Sequence, residues 1–480
     1  MYHIYVDSLL GKKIFLDFWK LPYSTDKSRE ASVSIFSEEN LQTSYANALV
    51  LLQHEGQPQL YRLENGVYIF AKVRPIIEYP SNLRVVTRIF DKNDNVVSFI
   101  LRDPSRQVVY LPFFLDEVLE GFYYEKYIPG RKTFLAKPVL NLYYSAKAFI
   151  PSFLKFKARS YLAKMQGKIK FPRWPVETSL EDFKRFVLEL LLSVSKKESL
   201  PFIWVWPREK EFCLLLTHDI ESGLSNGGGI FRLISAEKEA GFKSSCNVVP
   251  FKYPIDNGII QKIKSQGCEI GVHGYSHDAK LFSSWQTFRE RVQKINAVAR
   301  KWGAVGFRSA ATYRNPYWLN LMNFDYDSSF FDTDPYEPQP GGCLSLFPYF
   351  IEDIVEIPIT MPQDHTLFAL LGEKDARVWV KKAAEIKMRN GMICLVAHPD
   401  NGYVGDKDKI GHYIKFLQSM GEFDGLWNPL PSEVGEWWKK RDQARVVAEN
   451  GNYKIENGTP EMSIKWATLA NGKLSFNDNP

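Results

Sequence analysis

At 480 residues the chain is longer than one hydrophobic core usually supports, so two or three domains are expected. Its composition (45% hydrophobic, 14% aromatic, 24% charged) is that of a folded globular protein and carries no bias towards disorder. A net charge of +6 is small for this length and argues against a dedicated nucleic-acid binder, whose affinity would come from neutralising phosphates.

The first residues, Met1–Lys13, contain an early acid, Asp7, and lack both a basic start and a small-residue cleavage site, so no export signal is expected. No apolar run approaches the ~20 residues that span a bilayer, because the longest, Val187–Val194, contains Glu189 and is followed by Lys196 and Lys197. The five cysteines, Cys213, Cys246, Cys268, Cys343 and Cys394, are odd in number, sit in apolar runs and form no CxxC pair. They read as buried thiols of a reducing compartment, which makes the cytoplasm the expected location.

Residues 1–140 are expected to form a β-rich accessory domain of α+β type. Strands are predicted at Val67–Val73, Arg84–Phe90, Val96–Leu101 and Val108–Leu111, with a turn at Asp91–Asn95 and an apolar helix over Leu115–Tyr127. His3 and His54 stand alone there, and no catalytic constellation accompanies them. Residues 141–204 are expected to be a basic helical linker: Lys147, Lys155, Lys157, Arg159, Lys164, Lys168, Lys170 and Arg173 alternate with apolar residues, uninterrupted by any acid. Such a stretch, residues 147–173, would give weak peripheral contact with an anionic membrane surface, and a solvated helical face explains the same pattern without a membrane. Pro172 and Pro175 then break the chain before helical periodicity over Ser179–Ser195.

From 205 to 440 strands and helices alternate. Strands are predicted at Phe212–Thr217, Ser244–Val249, Glu269–Val272, Val305–Phe307, Val355–Ile357 and Ile393–Ala397, separated by helices such as Ile230–Ala240, Ile259–Gln266, Trp285–Trp302 and Ala376–Arg389. Repeated βα units over about 230 residues predict a mainly parallel sheet and a closed or nearly closed barrel. In residues 441–480 the pairs Asn450-Gly451 and Asn471-Gly472 predict a β-hairpin tail.

Chemistry gathers in the barrel segment. Of eight histidines, His218, His273, His277, His365 and His398 fall at or just beyond predicted strand ends, close to aspartates. The apolar run from Phe212 to Leu216 stops at Thr217, His218 and Asp219, with Glu221 two residues on. Catalytic groups of α/β folds collect at such C-terminal strand ends, although Thr and Asp ahead of a helix also serve as caps. His273 and His277, four apart, would project from one face of a helical turn and share a metal ion; the same spacing also occurs in structural pairs. Two imidazoles and one carboxylate leave an open position for water, as in catalytic metal sites. Asp219 and Glu221, two apart on an extended strand, share a face.

The motifs LTHDIE (Leu216–Glu221), HGYSH (His273–His277), GFRS (Gly306–Ser309), DYDSS (Asp325–Ser329) and LVAHPD (Leu395–Asp400) occur in the order of those of NodB-type polysaccharide deacetylases, carbohydrate esterase family four. The chain resembles that family over about residues 205–440. The resemblance implies a distorted (β/α) barrel and metal-dependent removal of acetyl groups from N-acetylated sugars. The family's first motif is TFDDG, with the first Asp as base and the second as metal ligand. Laid on it, Asp219 is the base, Ile220 falls at the ligand position, and Glu221 replaces the lost carboxylate; an alignment slid by one residue instead makes His218 base-like and Asp219 the ligand.

In this reading Glu221, His273 and His277 hold one divalent cation, expected to be zinc, and Asp219 takes a proton from the attacking water. Arg308 matches the motif-three arginine and would orient Asp219, although the family's following proline is missing; a surface salt bridge is its plainer reading. His398 would protonate the leaving amine. Asp327, with Asp325 and Ser328, resembles motif four or builds a turn, and Asp364 and His365 line the pocket or form an Asx turn. With His218 they complete the pocket candidates. The Pro- and Gly-rich run Asp332–Cys343 would be a lid or substrate loop, and Gly227–Gly229 a flexible connector. The expectation is a cytoplasmic hydrolase of linear amide C–N bonds in a carbohydrate, nucleotide- or lipid-linked given that location, with no nucleic-acid partner. The alternatives are a glycan-binding pseudoenzyme, because the first motif is irregular, and hydrolysis of a non-sugar C–N bond on the same scaffold.

Overall fold

A computed structural model of the chain describes all residues except 1–2, 8–9, 27–30, 41–44, 129–169, 225–227, 450–451 and 471. Most of the basic stretch at 147–173, Gly227, and residues of both Asn-Gly turns lie outside the described residues. The chain divides into two compact units, one of Met1–Tyr127, Thr178–Glu209 and Lys439–Pro480, the other of Ile128–Glu177 and Lys210–Trp438.

These divisions differ from the boundaries read from the sequence. The helix Ser179–Val194, placed in a linker, and the C-terminal hairpins, placed in a separate tail, belong to the first unit. The reason is a long-range pairing: Ser199–Ile203 runs antiparallel to Ile464–Ala470, which forms a hairpin with Lys473–Asn477. The same helix buries Leu180, Phe183, Val187, Leu188 and Leu191, and its Val194 carbonyl accepts a hydrogen bond from Asn47 at 2.8 Å.

The first unit is built on a nine-stranded mixed sheet, in which Ala48–Leu51 joins a parallel half to an antiparallel half through Val108–Leu111. Ala48–Leu51 is buried along its whole length, as strands covered on both faces are. The hairpin Arg84–Phe90 with Val96–Asp103 and the helix Leu115–Tyr123 fall where periodicity places them.

The second unit carries seven parallel strands in one path, β1 (Phe212–Ile220), β2 (Ser244–Val248), β3 (Glu269–His273), β4 (Gly306–Arg308), β5 (Tyr326–Asp327), β6 (Ile354–Glu356) and β7 (Met392–Ala397), and a short one off it, Leu426–Trp427, which pairs parallel with the start of β1. Their order in the sheet is β7-β1-β2-β3-β4-β5-β6, and Tyr349–Ile351 pairs antiparallel with β6. Connecting helices include α1 (Gly228–Glu239), α2 (Asn257–Ser265), α3 (Trp285–Trp302), α4 (Arg377–Lys387) and α5 (Ile410–Gly421). Asp256 and Ser284 cap α2 and α3 by accepting from Gly258 and Thr287 N–H groups. Irregular chain following β6 bridges to β7: the N–H groups of Thr360 and Met361 donate to the Cys394 carbonyl at 3.2 and 3.1 Å, and the Thr360 hydroxyl donates to Met392 O at 2.6 Å. The result is a distorted, incompletely closed (β/α) barrel whose two sheet edges are bridged by irregular chain.

β1 runs three residues further than its apolar content suggests, because β2 and β7 pair with its polar end through Asp219↔Asn247 and His218↔Ala397. β5 occupies a stretch that reads as a turn. Gly306 on β4 makes room for it: a Cβ there would lie 1.9 Å from Cζ of Tyr326, whose ring crosses the barrel floor to donate to Glu269 at 2.7 Å.

Tyr326 and Ser328 reach inward to Glu269 and Arg308, so the strand's period of two turns Asp327 to the other face. Asp327 is therefore not a pocket residue, contrary to the sequence expectation. It stands in register with Glu356 on β6, accepts from the Ser329 hydroxyl at 2.7 Å, and shares a buried site in which Glu356 accepts from the Ser329 and Phe330 N–H groups. Burial, and then the neighbouring Asp327, push the Glu356 carboxyl well above its ordinary value of 4.5. The segment Asp332–Cys343 is likewise no open lid: Asp332 faces Lys382 at 2.7 Å, both buried, and Glu337 accepts from Gln363 at 3.0 Å. All five cysteines are free and buried. Among the described residues, no helix is long and apolar enough to cross a membrane.

An acid whose pKa is raised on folding contributes stability that is present below its unfolded pKa and is lost as pH rises through the folded value. Glu356→Gln keeps the shape and removes the ionisation. In thermal melts its Tm relative to the parent should rise as the pH is taken from about 4 to about 8; a difference independent of pH would contradict the raised Glu356 carboxyl.

Candidate active site

The alternation of β1 sends Thr217 and Asp219 into the barrel mouth and His218 to the opposite face, with Glu221 following Asp219 just beyond the strand end. Asp219 is 4% exposed. Its Oδ1 accepts from Arg308 Nη1 at 3.0 Å and from Asn247 Nδ2 at 2.9 Å, while Oδ2 faces His273 Nε2 at 3.8 Å. Asn247 can reach it because β3 carries glycine alongside: a Cβ on Gly271 would lie 2.2 Å from Asn247 Oδ1. Burial opposes ionisation of Asp219, but Arg308, His273, His398 and Asn247 overcome it and hold the carboxyl at about 2.

Arg308, at 1% exposure, is no surface salt bridge. Its Nη1 also donates to Thr217 Oγ1 at 2.8 Å, Nε to Ser328 O at 2.8 Å and Nη2 to Ser328 Oγ at 2.7 Å. Its own carbonyl lies 3.2 Å from His273 Nδ1, which donates there and leaves Nε2 as a bare acceptor aimed into the mouth.

His273 and His277 do not share a helical turn. β3 ends at His273, the chain loops through Gly274–Ser276, and His277 takes a left-handed backbone (φ +55°) that brings its ring centroid 5.1 Å from that of His273. His277 Nε2 stands 2.8 Å from Glu221 Oε1, and His273 Nε2 stands 3.9 Å from the same oxygen. Both Nε2 atoms are buried and lack a hydrogen-bond partner among the described residues. One ligand atom from each of Glu221, His273 and His277 lies within 4.8 Å of the others. Two orphaned imidazole lone pairs converging on one carboxylate suit a divalent cation, whose positive charge satisfies all three. Burial disfavours the Glu221 carboxylate, yet His273, His277 and His398 hold its pKa far below the usual range.

β7 delivers His398, with Nε2 at 3.6 Å from Glu221 Oε1. Its Nδ1 donates to Asp364 Oδ1 at 2.6 Å, and its backbone N–H donates to Asp364 Oδ2 at 2.9 Å. Burial would favour the neutral imidazole, but Asp364 and Glu221 raise its pKa well above normal. Asp364 thus orients His398 from behind. His365 meets the site through its backbone N–H, which donates to Asp364 Oδ1 at 2.8 Å, while its ring stands 5.8 Å from Tyr403.

His218 is the second pocket candidate that the structure removes. Facing away from Asp219, it donates from Nδ1 to Ala397 O at 3.2 Å and from Nε2 to Glu237 Oε1 at 2.7 Å, beneath α1. Glu237 also accepts from Tyr413 at 2.6 Å and Ser244 at 2.5 Å. The alignment that made His218 base-like fails for the same reason: adjacent residues of a strand cannot both face the mouth. Asn247, Asp400 and Tyr253 were not singled out from the sequence as site residues. Asn247 carried a signal as a polar residue at the end of a buried strand opposite Asp219, and Asp400 as the last residue of the LVAHPD motif.

No family model matches the chain, and no curated protein sequence matches it. Among solved structures it is similar to a Mycobacterium smegmatis protein described as a polysaccharide deacetylase, at 19% identity and a TM-score of 0.42, covering 52% of this chain and 98% of that one. It is also similar to PuuE allantoinase (13% identity, TM-score 0.40, 48% of this chain and 92% of that one). A Pseudomonas aeruginosa PAO1 protein described as a polysaccharide deacetylase gives 16% identity and a TM-score of 0.39, over 48% of this chain and 92% of that one.

Proposed function

We propose that the barrel unit is a metal-dependent hydrolase that removes acetyl groups from an N-acetylated sugar or glycan precursor. The observation that carries this reading is the convergence of Glu221 with the orphaned Nε2 atoms of His273 and His277, between a buried carboxylate–arginine pair and a buried histidine–carboxylate pair. A divalent cation bound by these three residues, zinc in this reading, supplies Lewis acidity that makes water a better nucleophile and draws charge from an acyl oxygen.

The chain's own groups handle the protons. Asp219, held ionised by Arg308 with Oδ1 already occupied, offers Oδ2 to receive the proton of the attacking water. His398 carries protons on both nitrogens: Nδ1–H is fixed on Asp364, so Nε2–H is aimed at the mouth and protonates the departing amine, which could not leave as an anion. Arg308 also keeps His273 in the tautomer that presents Nε2. An inactive glycan-binding protein has no need of both proton-transfer pairs in working order, which favours catalysis over that alternative.

Purified protein should carry about one equivalent of divalent metal, and Asp219→Asn should keep it while acetate release from N-acetylated oligosaccharides falls about a hundred- to ten-thousand-fold. Metal-free protein, or an Asn variant with parental turnover, would overturn the assignment. Asp364→Asn should lower kcat with KM nearly unchanged, since it disturbs the proton donor and leaves substrate contacts intact; a rise in KM at constant kcat would place Asp364 in binding instead. A panel that includes non-sugar amides separates the sugar substrate from other C–N bonds.

A further inference from the structure

Glu221 lies in an awkward place for a metal ligand. β1 ends at Ile220, its pairing with β2 ends at Ile220↔Val248, and its pairing with β7 ends at His218↔Ala397. The ligand therefore leaves the sheet, and a loop residue is ordinarily too mobile to hold a carboxylate to the tolerance that a coordination site requires.

The structure resolves this with two side chains that grip the Ile220–Glu221 peptide group from opposite ends. The Tyr253 hydroxyl donates to the Ile220 carbonyl at 2.6 Å, and the Glu221 N–H donates to Asp400 Oδ2 at 3.1 Å. Asp400 takes the next residue as well: Oδ1 accepts from the Ser222 N–H at 2.8 Å and from the Ser222 hydroxyl. Two successive backbone N–H groups on one carboxylate fix the plane of the peptide that aims Glu221 inward. The anchor itself is held firmly. Asp400 follows His398 by two residues, the His398 carbonyl accepts from Gly405 N–H at 3.1 Å, and Arg232 donates to Gly405 O at 2.7 and 3.0 Å.

We infer that Asp400 is a positioning residue for the metal site: it carries no ligand atom, but it places Glu221 against His273 and His277 by clamping the backbone of residues 221 and 222. The inference rests on reading Glu221, His273 and His277 as the metal centre. It also explains how the site dispenses with a carboxylate at Ile220, since the clamp gives a loop residue the rigidity of a strand.

The test is zinc affinity of the full-length apo-protein, measured by competition with a chromophoric chelator, with circular dichroism confirming the fold. Asp400→Ala should bind zinc about 10- to 100-fold more weakly than the parent, with Asp400→Asn, which keeps one acceptor oxygen, in between. A folded Asp400→Ala with parental affinity overturns the inference. If Asp400→Ala does not fold, Tyr253→Phe releases the other end of the same peptide: weaker zinc binding supports the clamp, and parental binding overturns it. His277→Ala separates this from the underlying reading. Should the parent bind no zinc, or bind it no better than His277→Ala, the metal centre itself falls and the clamp with it; should His277→Ala lose zinc while Asp400→Ala keeps it, the clamp alone falls.

Discussion

A carboxylate buried as deeply as Asp219 stays ionised only where a charge of opposite sign is buried with it, and Arg308 is that charge. The guanidinium spends its donors on Thr217 and Asp219 of β1 and on Ser328 beyond β5, while the Arg308 carbonyl accepts from His273 at the end of β3. One residue on β4 thereby fixes the Asp219 carboxylate, the His273 tautomer and the relative placement of four strand ends. Removing one partner of such a pair typically costs about 3 to 5 kcal/mol, because the other is left as an uncompensated buried charge.

The polar end of β1 serves both of its faces. Inward, Thr217 and Asp219 belong to the site. Outward, His218 joins Ala397 on β7 to Glu237 on α1, and Glu237 collects Tyr413 from α5 and Ser244 from β2. Three donors share that one carboxylate, and the imidazole between it and a carbonyl donates at both nitrogens. Two buried hydrogen-bonded networks thus lie back to back across a single strand, which is why a run as polar as Thr217-His218-Asp219 can pair on both sides.

Much of this was legible in the sequence, and the gaps have physical causes. The βα alternation located six of the eight parallel strands, since each buried strand is apolar and each helix periodic; β5 and Leu426–Trp427 escaped because two residues each are too few to show a period. The histidine pair was found through its spacing, but the spacing works through a loop and a left-handed residue at His277, where a helical turn seemed the natural carrier. His218 and Asp327 looked functional from composition, and strand alternation, which composition does not reveal, turns both away. Asn247 showed only as a polar residue ending a buried strand and Asp400 only as the last residue of LVAHPD, while Tyr253 acts through a loop contact that leaves no local trace. The division into units escaped because Ser199–Ile203 finds its partner in Ile464–Ala470, at the far end of the chain.

The account stands on Glu221, His273 and His277 meeting at one cation beside Asp219. Crystals grown with zinc and measured at its absorption edge test this most directly. A single strong anomalous peak is predicted between Glu221 Oε1 and the Nε2 atoms of His273 and His277, about 2.0 to 2.2 Å from each. Density that joins the two imidazoles to each other or to water, with the anomalous signal absent or elsewhere on the molecule, would contradict it.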